Sequence, residues 1–348
     1  MRLGARVRRP LLLMPAAALE PFGGPSAWRG ADLVSSTDWI HQLNAEEVDE
    51  LDTALGAVQA RGLPLEQMQR DDFPLPSLAG TLARWSDELD HGRGFVLVRG
   101  VPVERYTLEQ SGIVYFGLGL HLGVAVSQNS AGDLLGDVRD DGSDPADPAV
   151  RLYRTREHLP FHTDGSDVVG LLCIRTAHSG GLSSIVSSTA LYDEVLRRRP
   201  DLAPLWFEPW YFDAYGQQRS DQPPWFSMPM ANVVDDRLRV FYLRWYVEKA
   251  QAHADVPRLT DAQVQLLDLI DELAHDPEWH LDMAFEPGDV QLLSNHVVMH
   301  SRTQYQDHDD PAEKRHLLRL WLTLHRHAPG GDGWGGIPPK ADEAVSVI

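Results

Sequence analysis

Leu159-Pro160-Phe161-His162-Thr163-Asp164 joins an apolar entry into a strand to a His-x-Asp tripeptide. On a strand, side chains alternate with a period of two, so His162 and Asp164 share one face. An imidazole and a carboxylate on adjacent rungs can grip a single cation. A second imidazole from a distant strand would complete three donors on one side of the ion and leave the other side open, a facial set suited to Fe(II). The tripeptide alone recurs by chance in chains of this length, so its weight depends on the residues around it.

Downstream, Gly288-Asp289 marks a turn, Val290 to His300 reads as one strand and Arg315 to His325 as another. His296 and His300 are four apart on that first strand and would project from one face. Spacing leaves either of them open as the second imidazole. Arg315 and Arg319 are likewise four apart, with Leu317 and Trp321 on their face. A guanidinium turned inward is costly unless it meets an anion, and its planar fork suits a carboxylate. An outward face would pair with Asp or Glu instead.

Upstream, the texture is helical. Asp32 to Leu63 carries Leu43, Val48, Leu51, Leu55 and Val58 at helical spacing, and a second helix is expected over Ser77 to Asp90. Gly94 to Gly100 reads as a strand, then Thr107 to Gly119 as a helix with Thr107 as N-cap. Asp133 to Asp147 reads as a solvated acidic loop, because its acidic spacing is too irregular for a calcium loop. Short strands follow at Gly170 to Ile174 and Ser184 to Ser187. Ser188 to Arg198 is a helix capped by Ser188 or Thr189, Arg239 to Leu243 a strand, and Thr260 to His275 a helix. Helices first, then many short strands with helical insertions, predict a mainly β fold: a sandwich or barrel decorated by helices.

No linker divides the chain, so residues 31–330 read as one domain between a flexible leader (1–30) and a tail (331–348). Arg2, Arg6, Arg8 and Arg9 precede an apolar run from Leu11 to Leu19 that loosely resembles a signal peptide. Pro15 interrupts that run and no cleavage pattern follows, which favours a leader over an export signal. With 31 Lys and Arg against 51 Asp and Glu, the net charge is −20. Such a surface argues against nucleic acid or an anionic membrane as partner and leaves a small molecule as the expected one. Cys173 is the sole cysteine, which excludes an internal disulfide and points to a reducing, cytoplasmic setting.

Four blocks occur in order: Phe161-His162-Thr163-Asp164, SGGLSSIVSS (179–188), PGDVQLLSNHVVMHSRTQYQD (287–307) and KRHLLRLWL (314–322). Together they make the stretch from about Leu159 to Leu324 resemble the taurine dioxygenase and clavaminate synthase-like (TauD/TfdA) superfamily of Fe(II)/2-oxoglutarate oxygenases. The resemblance implies a double-stranded β-helix, or jelly-roll, core flanked by α-helices. It implies Fe(II) held by His162, Asp164 and His300, which resolves the choice against His296, with 2-oxoglutarate and O2 as co-substrates. By the same resemblance Arg315 binds the distal carboxylate of 2-oxoglutarate. Ser183 stands where the family has a Thr that contacts the co-substrate, and Arg319 assists with it or with a substrate anion. Ser127-Gln128-Asn129 resembles an element of one subgroup, which gives Gln128 and Asn129 a role at the substrate pocket.

The implied reaction couples oxidative decarboxylation of 2-oxoglutarate to hydroxylation of a small, anionic or amino-acid-like molecule. The intact Asp164 favours oxygenation over halogenation, while desaturation and cyclisation stay open as outcomes of substrate placement. Two other classes compete. A zinc hydrolase could use two His and one carboxylate, but it has no use for Arg315 beside the metal. An inactive metal-binding sensor on the same scaffold would not need intact ligands. Trp206, Trp210, Trp225, Phe226, Trp245 and Tyr246 concentrate between the two halves of the motif and read equally as substrate wall or as core.

Overall fold

The computed structural model describes residues 20–129, 132–144, 152–216, 218 and 221–328. Two sheets face each other. The larger runs in the order Ile40–Gln42, Phe95–Arg99, Val290–Ser294, Val168–Arg175, His316–Leu324, Gly123–Ala125, with Leu135–Val138 also paired to His316–Leu324. The smaller runs His280–Met283, Ser183–Ser187, Val298–Arg302, Leu159–His162. Every pairing in them is antiparallel except the parallel one between Ile40–Gln42 and Phe95–Arg99. From Leu159 onward the chain crosses repeatedly between the sheets, with Ser183–Ser187 and His280–Met283 as successive neighbours in the smaller one, which is the jelly-roll connectivity.

Between the sheets, Phe95, Val169, Ile185, Leu281, Leu293 and Trp321 form an apolar layer. The outer face of the larger sheet carries the helices Ala45–Arg61, Ala79–Asp90 and Leu108–Leu122, packed through residues such as Leu55, Trp85 and Val114 against Val96, Leu172 and Leu320. The outer face of the smaller sheet is covered by the helices Ser188–Arg198 and Asp261–His275 and by a β-rich insertion. Caps account for several boundaries: Asn44 with Glu47, Thr107 with Gln110 and Thr260 with Gln263 each form a capping box.

Several expectations change. Asp32 to Leu63 is not one helix, because Ile40–Gln42 breaks it as an edge strand before Asn44 starts the helix. Within Asp133 to Asp147 the segment Leu135–Val138 is a strand, and residues 145–147 lie outside the described residues. Ser187, not Ser188 or Thr189, caps the next helix, accepting from Ala190 N–H. The strand expected over Arg239 to Leu243 is Arg237–Val240, and Phe241 to Leu243 leave it. Val290 to His300 is two strands in different sheets, joined by Asn295-His296-Val297. That turn puts His296 and His300 apart, so they do not share a face of one strand.

The leader expected over residues 1–30 is packed from Phe22 onward. Phe22 and Gly23 N–H donate to the Asp193 carboxylate at 2.8 and 2.9 Å, and Trp28 meets Phe95 edge-on at 5.2 Å. Residues 1–19, including the Arg and Leu run, and the tail over 331–348 lie outside the described residues. Trp206 and Trp210 are fully buried in the outer core of the smaller sheet, so they are not substrate wall. Trp245 is the aromatic residue of that group that meets His162, edge-on at 5.2 Å. No described helix is long and apolar enough to cross a membrane.

Candidate active site

His162 is the last residue of Leu159–His162 and pairs across the smaller sheet with His300, their rings 4.1 Å apart. Asp164 does not sit on the strand. The strand stops at His162 because Thr163 turns away: its N–H donates to Tyr242 O at 2.9 Å, and its hydroxyl accepts from Tyr242 N–H at 3.0 Å. Asn295 then holds the crossover, accepting from Asp164 N–H at 2.9 Å and donating to Ser166 O at 2.9 Å. Trp321 donates its indole N–H to Asp164 Oδ2 at 3.1 Å. The carboxylate thus arrives from the crossover between the sheets rather than from strand alternation.

The His162 and His300 Nε2 atoms stand 3.9 and 3.8 Å from the Asp164 carboxylate. These are too long for hydrogen bonds, so the three donors face a common point without satisfying one another. His162 Nδ1 is 2.8 Å from Pro160 O; as donor there, it leaves the Nε2 lone pair for a metal. Burial lowers the pKa of His162 against the pull of Asp164. Burial and the neighbouring His162 push His300 down to about 3. Both rings are therefore neutral near pH 7, the form that ligates. Burial disfavours the Asp164 charge, but Arg319, the two imidazoles and the Trp321 N–H together hold its pKa below the usual carboxylate range. Two neutral imidazoles and a carboxylate anion fit a divalent transition metal.

A second His/Asp trio, Asp167, His296 and His327, has the same residue types. There the contacts are direct hydrogen bonds, 2.8 Å from His296 to Asp167 and 3.0 Å from His327 to Asp167. His327 Nε2 also lies 3.4 Å from Asp90. This cluster closes on itself and braces the crossover that carries Asp164.

Next to the first trio, a cavity of about 500 Å³, open at its mouth, is lined by His162, Asp164, His300, Ser183, Arg315 and Arg319 among others. Arg315 is 4% exposed, and its Nη1 is buried without a partner. Burial lowers its pKa, but a guanidinium remains charged. Gly181 takes a positive φ of 70° beside it, and a Cβ there would come within 3.2 Å of Arg315 Nε. A buried, unpaired guanidinium in a cradle shaped for it fits a carboxylate ligand.

Ser183 is buried and donates to Gln291 Oε1 at 2.9 Å. Its one proton is committed in this arrangement; a flipped Gln291 amide would donate instead and release it. Gln128 does not line the cavity. Its Oε1 accepts from Arg319 Nε at 2.7 Å and its Nε2 donates to Arg319 O at 2.8 Å, so it aims the arginine. Asn129 belongs to a turn, donating to Asp133 at 2.8 Å, and is away from the cavity. Sequence reasoning missed Asn295, Trp321, Gln291 and Arg302, whose places depend on contacts across the two sheets; of these only the His-x-Arg spacing of Arg302 carried a signal.

The sequence profile of the family described as taurine catabolism dioxygenase TauD, TfdA matches residues 38–321. The FR-33289 synthase of Streptomyces rubellomurinus (strain ATCC 31215) is 32% identical over 309 residues, 88% of this chain and 91% of that protein. The taurine hydroxylase-like protein SAT17 of Stachybotrys chartarum (strain CBS 109288 / IBT 7711) is 27% identical over 304 residues, 84% and 77% of the two chains. Among solved structures, asparagine oxygenase in complex with Fe(II), 2S,3S-3-hydroxyasparagine and succinate is similar with a TM-score of 0.64 and 15% identity, covering 83% of this chain and 95% of that one. The non-heme iron oxygenase OrfP in complex with Fe and alpha-ketoglutaric acid gives a TM-score of 0.62 at 15% identity, covering 81% and 93%. The chain belongs to the taurine catabolism dioxygenase TauD, TfdA family and is an Fe(II)/2-oxoglutarate-dependent dioxygenase.

Proposed function

We propose that His162, Asp164 and His300 hold Fe(II), that Arg315 receives the distal carboxylate of 2-oxoglutarate, and that the reaction is hydroxylation of a small, anionic or amino-acid-like molecule. The observation that carries this is the cavity shared by three mutually unbonded donors and the buried guanidinium of Arg315, whose Nη1 has no partner. A hydrolase would need the donors but not the guanidinium. When bound, iron and 2-oxoglutarate supply the oxidising power: O2 and 2-oxoglutarate become succinate, CO2 and one oxygen atom placed in a C–H bond.

The chain's own residues orient and exclude. Trp321 and Asn295 fix the carboxylate, Gln128 aims Arg319 toward the cavity, and Ser183 offers a hydroxyl at its wall. Asp164 also lines a second cavity with Met228, Asn232, Arg239 and Phe241. We assign the substrate to that side, where an apolar wall meets an amide and a guanidinium. The amino-acid character is supported by relatives of the fold: the solved complexes hold hydroxyasparagine in asparagine oxygenase and hydroxy-arginine in OrfP.

Under nitrogen, the protein with Fe(II) and 2-oxoglutarate should show a weak visible charge-transfer band, and admitting O2 should yield succinate. Absence of both would sink the proposal. Screening amino acids and small anions for stimulated succinate release then identifies the substrate.

A further inference from the structure

The cavity carries one cation more than these roles use. Arg302 ends the strand that bears His300, two residues on, and pairs across the sheet with Ser183, which brings its side chain to the cavity face. It is 5% exposed and lines the same cavity as Arg315. Its Nη2 donates to the Glu157 carbonyl, but its Nε and Nη1 are buried without a partner. The two guanidiniums pack on one ring, that of Tyr305, with their Cζ atoms 4.9 and 5.1 Å from its centroid.

Buried like charges repel and demand an anion. Burial, followed by the charge of Arg315, brings Arg302 down to about 10. Asp307 is an acid whose charge acts on Arg315 and on Tyr305. Its Oδ1 already accepts the Arg315 and His308 N–H groups at 2.7 and 3.2 Å, and its Oδ2 is buried without a partner. Asp140 and Glu157 also act on Arg302 by charge, with Asp140 already paired to Arg156 at 3.1 Å, yet no described carboxylate accepts from Arg302 Nε or Nη1 or from Arg315 Nη1. Ser183, the other donor at this wall, has its proton committed to Gln291.

We propose that Arg302 and Arg315 form a two-guanidinium clamp on the distal carboxylate of 2-oxoglutarate, with Arg302 setting the preference for a dicarboxylic keto acid. The clamp rests on the co-substrate reading above. It gives an anion to donors of both guanidiniums that no described residue satisfies. It also engages Arg302 Nε and Nη1, which lie on different edges of the guanidinium and can each donate one charge-assisted hydrogen bond.

The test is calorimetric titration of the full chain loaded with Mn(II) under nitrogen, using 2-oxoglutarate and, as the keto acid without a distal carboxylate, pyruvate. Arg302→Gln should weaken 2-oxoglutarate about tenfold or more, as expected for a lost charge-assisted contact, and leave pyruvate unchanged. Arg302→Lys, which keeps the charge and loses the fork, should fall between. Unchanged 2-oxoglutarate affinity overturns the clamp, and so does an equal loss for both keto acids, which would mark a packing role. If Arg302→Gln fails to fold by circular dichroism, Arg302→Lys carries the same comparison with the same two overturning outcomes. Loss of 2-oxoglutarate in Arg315→Gln but not in Arg302→Gln would sink the clamp and leave the co-substrate reading standing. Wild-type protein that binds neither keto acid would sink both.

Discussion

Arg315 is where one side chain decides a ligand. Its Nη1 is buried without a partner, and a buried guanidinium is costly unless it meets an anion. We expect Arg315→Ala to weaken 2-oxoglutarate by about 10- to 100-fold, the size of one or two charge-assisted hydrogen bonds. Mn(II) affinity measured without keto acid should be unchanged, and equal loss of both would mean that Arg315 supports the metal instead. The glycine beside it makes an independent test. Gly181→Ala combines a φ of 70° with a Cβ 3.2 Å from Arg315 Nε. It should cost about 1–2 kcal/mol in urea unfolding and weaken 2-oxoglutarate as well, because Arg315 must shift. An unaffected Kd would separate the cradle from the clamp. Arg315 was singled out in the sequence by its spacing from Arg319 and by the family resemblance, and the structure buries it one residue before the strand His316–Leu324. Asp164 was legible as a residue but not in its placement, since alternation put it on a strand that Thr163 ends. Trp321 and Asn295 were illegible because their partner reaches them from more than 100 residues away.

Among elements, the turn Asn295-His296-Val297 does the most to position the site. Val290 to His300 contains neither Gly nor Pro and reads as continuous strand, yet it changes sheets in mid-course. What breaks it is polar pairing: Asn295 holds the Asp164 crossover, and His296 is drawn to Asp167 at 2.8 Å. His327 completes that brace by joining Asp167 and Asp90. Burial disfavours its charge, but hydrogen bonds from both carboxylates prevail and raise it to about 9. A folded-state pKa above the unfolded value of about 6.5 stabilises fully below pH 6.5 and is lost as pH rises through about 9. His327→Gln should therefore cost about 2–3 kcal/mol at pH 6, as when one partner of a buried ion pair is removed. The deficit relative to wild type should shrink between pH 6.5 and 9. A pH-independent deficit in the urea midpoint would mean that the imidazole is held neutral. Local signals read the helices better than this turn: Thr107 caps as its sequence predicts, whereas the sheet change depends on Asp167 and His327, which no short window contains.

At the scale of the whole molecule, the jelly roll places donors from both sheets around one cavity. His162 and His300 come from the smaller sheet, Arg315 precedes and Arg319 lies on a strand of the larger one, and Asp164 sits on a crossover between them. The texture predicted a helix-decorated β fold, but it could not say that the site spans the sheets. That span has a thermodynamic consequence. A metal and a dicarboxylate bound there contact both sheets, and neither sheet offers the full set of ligands once they separate. Ligands that bind only the folded state stabilise it by RT ln(1 + [L]/Kd), about 2.7 kcal/mol at 100 times Kd. For a domain of this size each kcal/mol raises Tm by roughly 2 °C. Mn(II) with saturating 2-oxoglutarate under nitrogen should therefore raise Tm by about 5 °C or more, and EDTA should reverse the rise. The two ligands should also act together: the keto acid should shift Tm far less in metal-free protein, since its other end then has no ion to meet. Equal shifts with and without Mn(II) would place the keto acid somewhere other than the cavity of His162, Asp164 and His300.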